Sequence, residues 1–581
     1  MKMRFGRLLL ALLFGMPTLL LADGIREVTL KLIETTDVHG NFFGYDFVNN
    51  RELKSGLPRV AAYVRSQRQS LGGDACLLFD CGDVLQGQPC VYYANFIDTV
   101  GVHLASDVMN FIGYDAGSYG NHDIEAGHPV YDRWARDCHY PVLGANILSA
   151  SSGKPYAVPY CVFERHGVKV AVLGLVTPAI PMWLPESLWS GLRFEDIVSS
   201  SSKWVKYIKE KENPDVMVGL FHTGLEGGSL NGFNENAAKQ VAETVPGFDI
   251  IFFGHDHRRH CEQVENEVTG RNVWLLNAGG ETTHVAEATL VCQLKDGNVR
   301  VKSVSGQLVS LDSVSPDSAY IAHYKDVCGK VQAFVSEKVG TLSAPIHTID
   351  YFFGRSSMAD LLHEVQLSKV DADISFITPL AFNDTIAAGD VYVRDIFKLY
   401  RYENRIDVFE LKGSEVLGAL EKSYDMWTNT MKDSGDHALA MVQGPGGRSR
   451  LKTASFYLMS AAGISYKVDL TKPDGQKVHI VRMRDGRPFS PDSTYRVAVN
   501  SYVGSGGGGL LTEGAGISLK ELPQRLVSTT DKDLRHYVIE YFRGQTSALR
   551  IPQVSDWEFV PQRFVKEALR RDRQLLEGNR R

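Results

Sequence analysis

Through the first half of the chain, short apolar runs alternate with polar turns and helix-period segments. Val28-Thr-Leu-Lys-Leu-Ile33 switches between apolar and polar with period two, the mark of a half-buried strand. Pro58-Arg-Val-Ala-Ala-Tyr-Val-Arg65 has helical spacing, and Leu71-Gly-Gly-Asp74 turns the chain into a second strand, Leu77-Leu-Phe-Asp80. Val168 to Val176, Asp215 to Phe221 and Asp249 to Phe253 read as further strands, and Val273 to Glu281 closes the set with a glycine turn that would allow close approach. Strand, helix, strand repeats predict an α/β fold whose chemistry gathers at the strand ends.

The polar residues just past those runs carry that chemistry. Asp37 and His39 follow the first, Asp83 the second, Asn121 and His122 the segment around Gly120, His222 a later strand, and His255 with His257 the next. A turn-capping carboxylate or a surface imidazole accounts for any one of them, but not for five strand ends all bearing metal-competent groups. Asp37, His39, Asp83, Asn121, His222, His255 and His257 are too many donors for one tetrahedral ion. Two ions roughly 3.5–4 Å apart that share a carboxylate would use them all.

Asp83 is the expected bridge, since it arrives with no second donor beside it. Glycines before and after let the backbone bring Asn121 to the metal while His122 turns to substrate. His255 and His257 are expected on one side of an extended segment. Nitrogen and oxygen donors without thiolate suit zinc, manganese or a similar ion.

Composition then bounds the molecule. At 581 residues, 44% hydrophobic and 22% charged, the chain predicts two or three soluble globular domains. Residues 1–22 have the layout of a secretory signal peptide, with Lys2, Arg4 and Arg7 ahead of the apolar block Leu8 to Leu21. That block is shorter than the roughly 20 residues of a spanning helix, so it predicts export to the periplasm or cell surface without stable membrane insertion. Loss of this leader removes three basic residues and no acidic one, taking the formal net charge from −6 to −9. An acidic protein of this kind is not expected to bind a nucleic-acid polymer. The eight cysteines form no close CxxC pair, which excludes zinc-ribbon and thioredoxin readings. Cys76, Cys81 and Cys161, in apolar context, are expected to be buried thiols.

Between Ser313 and Gly340 the pattern turns helical, with Tyr320, Tyr324, Val327, Val331 and Phe334 on one stripe, and the domain joint is expected there. The second half reads as α/β again: strands at Asp373 to Ile377 and Arg405 to Phe409, helices at Asp395 to Tyr400 and Gly413 to Leu420. Tyr402, in Tyr-Arg-Tyr-Glu-Asn, and Tyr502, before a run of glycines, read either as rim residues or as faces for a nucleobase. The charged tail from Phe564 reads as a solvated helix.

In order, Asp-Val-His-Gly, Gly-Asp-Val-Leu-Gln-Gly, Gly-Asn-His-Asp, His-Thr-Gly and Gly-His-Asp-His resemble the motifs of calcineurin-like metallophosphoesterases, and more closely their exported nucleotidase branch. The resemblance implies a four-layer αββα catalytic domain over 23–312, a helical linker over 313–340 and a nucleotide-binding α/β domain over 341–581. It implies one metal on Asp37, His39, Asp83 and His257, and another on Asp83, Asn121, His222 and His255. It also implies His122 as the catalytic group, oriented by Glu125, and a base pocket containing Tyr402, Asn404, Gly463 and Tyr502.

Two departures bear on the substrate. Ala381-Phe-Asn-Asp-Thr-Ile386 stands where 5′-nucleotidases carry a Gly-Gly-Ile-Arg phosphate grip, and Gly508 stands in place of an acidic residue that meets the ribose. Tyr-Arg-Tyr-Glu-Asn resembles the branch that opens 2′,3′-cyclic nucleotides and cleaves the 3′-phosphate. A 5′-nucleotidase or broad nucleotide phosphatase is the near alternative, and a non-catalytic nucleotide-binding surface protein the distant one.

Overall fold

The computed structural model describes residues 25–230, 233–444 and 447–578, so the expected leader lies outside the described residues. Two six-stranded sheets build the N-terminal half. The first runs Asn298–Ser310, His284–Lys295, Arg26–Thr35, Cys76–Asp80, Ala116–Ser118, Val142–Leu143, its last four strands parallel. The second runs His260–Glu265, Asn272–Asn277, Ile250–Phe253, Val216–His222, Val168–Val176, Tyr160–Arg165, with its four central strands parallel.

The inner strands are apolar on both faces because each sheet is covered twice. Leu30, Leu32, Leu77 and Phe79 meet Val170, Val172, Val218 and Phe252 between the sheets. Their neighbours turn outward. Ile33 and Leu78 pack on Val60, Val64, Met109 and Trp134 of the helices Leu57–Leu71, Leu104–Ile112 and His128–Asp137. On the other side Leu173, Phe221 and Phe253 pack on Val205, Ile208 and Val241 of Ile197–Glu212 and Ala238–Thr244. The result is the four-layer αββα architecture.

Register brings the chemistry to one edge. Thr35 pairs with Asp80 in the first sheet, and His222 pairs with Val176, beside Phe221 with Phe253, in the second. The loops after these strands are stitched together, the Asp37 and His39 amides donating to the carbonyls of Gly82 and Asp83 at 3.0 Å each.

The helix expected between the halves spans Ser318–Val335 and starts on Asp317, whose carboxylate accepts the Tyr320 amide at 2.9 Å. It belongs to the catalytic half's outer layer, with the Tyr320 hydroxyl on Phe42 O at 2.8 Å and that of Tyr324 on Asp107 O at 3.0 Å. Ser336 and Glu337 alone separate it from Lys338–Leu342, the first strand of the second half.

That half holds a five-stranded mixed sheet, Ser460–Ala462, Ile374–Ile377, Thr494–Asn500, Arg405–Lys412, Leu526–Asp533, and a three-stranded one. Tyr92 of the first half is buried in this second core, its ring 6.4 Å from Phe334 and 5.5 Å from Phe397. The tail helix, Gln562–Glu577, is packed rather than solvated. Val565, Ala568 and Leu576 are buried, and the buried Asp572 carboxylate accepts the amides of Ala438 and Leu439. All eight cysteines are unpaired; Cys76 and Cys81 are buried, Cys161 half-buried.

Candidate dinuclear metal centre and the adjoining cavity

Two donor clusters form where the strand ends meet, sharing one residue: Asp37, His39, Asp83 and His257, then Asp83, His222 and His255. Asn121 joins the second, its Oδ1 lying 3.0 Å from His222 Nε2. His257 Nε2 is 3.2 Å from Asp37 Oδ1, His222 Nε2 is 3.2 Å from Asp83 Oδ2, and the Nε2 atoms of His39 and His257 are 3.1 Å apart. All seven sequence-predicted donors therefore come together, with Asp83 between the clusters.

The loop backbone, not strand geometry, aims them. Asp37, His39, Asp83, His255 and His257 all have positive φ, between 45° and 76°. His255 and His257 thus do not share one side of an extended segment. The chain leaves Ile250–Phe253 and coils through the left-handed region, which swings each ring separately. Asn121 and His122 open the short helix Asn121–Glu125, where consecutive side chains diverge by about 100°. Only glycine fits just before them, because a Cβ on Gly120 would lie 2.1 Å from Asp83 Oδ1.

The electrostatics suit cations. Burial alone would raise Asp37 and Asp83, but the surrounding histidines hold both carboxyls well below the ordinary range. Burial lowers His39 to about 4, keeping a neutral imidazole. His222 is raised to about 9 against its burial by Asp83 and Asp37, so it holds a proton that a cation would displace. Asp37 Oδ1 and Asp83 Oδ2 are buried and accept no hydrogen bond. Two orphaned carboxylate oxygens facing imidazole and amide donors fit a pair of divalent ions.

His122 stands beside this centre with Nδ1 on Glu125 Oε2, so the longer acid three residues on does reach the ring. Burial pulls His122 down, yet Asp83 and Glu125 raise it to about 10. Asp123, quoted in the Gly-Asn-His-Asp motif without a role, proves to hold the bridge in place. Its buried carboxylate accepts the amides of Gly120, Asp83, Val84 and Leu85 at 2.7–3.0 Å. Nothing in the sequence separates such a carboxylate from a solvated one.

A cavity of about 520 Å³ opens from Asn121, His122 and His255 into the second half. Tyr402 and Tyr502 both line it. The Tyr402 ring lies parallel to His122 with centroids 5.9 Å apart, and Tyr502 meets Phe456 edge-on at 6.4 Å. Asn404 also lines the cavity. Gly463 does not; it turns the chain between Ser460–Ala462 and Ile464–Asp469 against the backbone of Asp373, at the opposite end of Ile374–Ile377 from the lining residue Thr378. Trp183, Glu235, Phe456 and Tyr457 line it without having been singled out, since isolated aromatics and acids in loops carry no periodic signal. Tyr457 fills the space over Gly508, where a Cβ would meet its ring at 2.6 Å.

A four-layer sandwich with a dinuclear donor set and a cavity shared with a second α/β domain defines a metal-dependent phosphoric ester hydrolase. Residues 30–259 match the calcineurin-like phosphoesterases and 338–513 the 5′-nucleotidase C-terminal domain. The chain thus joins a calcineurin-like phosphoesterase domain to a 5′-nucleotidase C-terminal domain. It is 23% identical to a Haemophilus influenzae protein named 2′,3′-cyclic-nucleotide 2′-phosphodiesterase/3′-nucleotidase, across 93% of this chain and 89% of that one. It is 25% identical to Yersinia enterocolitica UshA over 83% and 86%. The trifunctional nucleotide phosphoesterase YfkN of Bacillus subtilis is 26% identical over 83% of this chain, which spans only 36% of that protein. Among solved structures, a putative 5′-nucleotidase from Staphylococcus aureus shares the fold with a TM-score of 0.74 and 22% identity, covering 91% of this chain and 99% of that one. Among the described residues no helix is long and apolar enough to cross a membrane.

Proposed function

We propose that this chain is an exported phosphohydrolase that opens 2′,3′-cyclic nucleotides and then removes the 3′-phosphate. The observation that carries the reading is the junction of the donor clusters and His122 with an aromatic-walled cavity. A phosphate at Asp83 leaves its nucleoside to extend between Tyr402 and Tyr502. In this reading residues 23–312 carry the chemistry, 313–340 joins the halves and 341–581 holds the base.

Two divalent ions, zinc, manganese or similar, held by Asp37, His39, Asp83 and His257 and by Asp83, Asn121, His222 and His255, would neutralise phosphoryl charge and acidify a water. His122 holds a proton at neutral pH and delivers it from Nε2 to the leaving oxygen. Glu125, accepting from Nδ1, fixes the ring for that transfer. Tyr402 and Tyr502 offer flat faces to the base, each stack worth roughly 1–3 kcal/mol, and Asn404 adds an amide.

The lean toward cyclic and 3′-phosphates rests on what the cavity lacks. Among the described residues no arginine lines it, and its one lysine, Lys422, is paired with Glu513. Some relatives carry 2′,3′-cyclic-nucleotide names and others 5′-nucleotidase names, so the substrate must be decided by assay. Export is supported by the basic and apolar pattern of residues 1–22. Parallel turnover of 2′,3′-cyclic AMP, 3′-AMP and 5′-AMP tests the proposal: the first two should dominate, and faster turnover of 5′-AMP would overturn it.

A further inference from the structure

Three of the four histidines at the centre have one ring nitrogen tied down, and the ties differ. His39 donates from Nδ1 to Gln86 O at 3.1 Å, and His222 from Nδ1 to Cys81 O at 2.7 Å. Each thereby aims its Nε2 at the cluster. His255 is arranged the other way round, with Nε2 2.9 Å from Glu235 Oε1. An ionised carboxylate can only accept, so the proton belongs on Nε2 and the lone pair on Nδ1.

Glu235 lies outside both donor clusters, yet its place is fixed independently of its side chain. The Thr223 hydroxyl donates to Glu235 O at 2.7 Å and accepts the Ala237 amide at 3.0 Å, while Asn236 Oδ1 accepts the Gly224 amide at 2.9 Å. The segment carrying Glu235 is thereby sewn to the residues that follow His222. On the other side Trp183 stacks on the His255 ring, with centroids 5.5 Å apart and planes 27° from parallel.

We infer that Glu235 is a positioning residue for the second ion: by accepting from Nε2 it fixes His255 as an Nδ1 donor. A carboxylate behind a ligating imidazole acts in this way, and its removal costs about 10–100-fold in metal affinity. The inference rests on the two-ion reading.

The test titrates metal-free full-length protein with Zn²⁺ against a chromophoric chelator. Wild type should take up two ions. Glu235→Ala should loosen one of them by about 10–100-fold and leave the other unchanged. Glu235→Asp, whose acceptor falls a methylene short, should behave like Glu235→Ala, while Glu235→Gln, which still offers an oxygen to Nε2–H, should restore wild-type binding to within about threefold. Two tight ions in both the Ala and Asp variants would overturn the inference, as would a Gln variant as weak as Ala. A wild-type protein that fails to bind two ions would instead refute the two-ion reading.

Discussion

Arg535 is fully buried where the two halves meet, and removing it tests how the loop carrying Tyr402 is held. Its Nη1 donates to Glu403 Oε1 at 2.9 Å and its Nε to Tyr400 O at 2.9 Å. Its guanidinium lies 4.0 Å from the Phe397 ring centroid and 4.9 Å from that of Tyr92, which comes from the catalytic half. Arg535→Met keeps the bulk but strands Glu403, and breaking a buried pair by deleting one partner costs about 3–5 kcal/mol. Burial, with Arg535 opposing it and Glu125 adding to it, already raises Glu403 to about 7, so the orphaned acid will take up a proton. The loss should therefore fall toward the lower figure at acidic pH.

For a domain of this size that loss corresponds to about 6–20 °C in melting temperature. Adding Glu403→Gln should recover part of it, because a neutral pair of similar volume avoids the stranded charge. Thermal unfolding of wild type, both single variants and the double variant gives the coupling. Single-variant losses that simply add in the double variant would refute the reasoning. Zinc content should be unchanged while KM for the nucleotide rises, since Tyr400 and Glu403 flank Tyr402.

His122→Ala should keep both ions and lose about 10²–10⁴-fold in kcat; a fall in metal content would show that His122 is a ligand instead. Asp407, buried beneath the Thr529 hydroxyl at 2.5 Å, is raised by burial from 3.8 to about 6. Its stabilising contribution is whole below pH 3.8 and lost as pH rises through 6, so Asp407→Asn should add about 3 kcal/mol at pH 8 and little at pH 4; equal melting shifts at both pH values would contradict this. Tyr402→Ala should raise KM for 2′,3′-cyclic AMP by about 5–150-fold with metal content intact, and an unchanged KM would remove Tyr402 from the base site.

The sheets were legible because strands buried on both faces leave unbroken apolar runs, and the candidate donors because each sits at a strand's end or within four residues of it. What the sequence withheld has a common cause. Asp123 and Glu235 act through side-chain hydrogen bonds to groups distant in sequence, the amides of Asp83 to Leu85 and the ring of His255, and such bonds leave no periodic trace. The tail helix read as solvated because its charges surround few apolar residues, and its anchor is itself a charge, Asp572 on the amides of Ala438 and Leu439. Gly463 was placed in the pocket by family position, whereas its φ of +92° serves a turn beside Asp373. The candidate donors thus converge while Gly463 falls away from the cavity, since metal donors must meet within a few ångströms whereas a base can be held by several arrangements of rings.

Five of the seven donors occupy left-handed backbone, where an L-residue costs about 1–2 kcal/mol. Together that is about 5–10 kcal/mol, comparable with the whole stability of an ordinary domain, so the loops need compensation from hydrogen bonds and from the ions. His257 isolates this balance, because its side chain is half exposed and its φ is 54°. His257→Gly should relieve about 1 kcal/mol of strain and raise the melting temperature of metal-free protein by about 2–4 °C. The same change removes a donor from the first cluster, so the zinc-loaded protein should melt lower than loaded wild type. Opposite signs in the two states are what a strained, ion-compensated loop requires. A metal-free variant that melts below metal-free wild type would mean that His257 stabilises the fold through its own contacts, and that the left-handed turn is not where the strain lies.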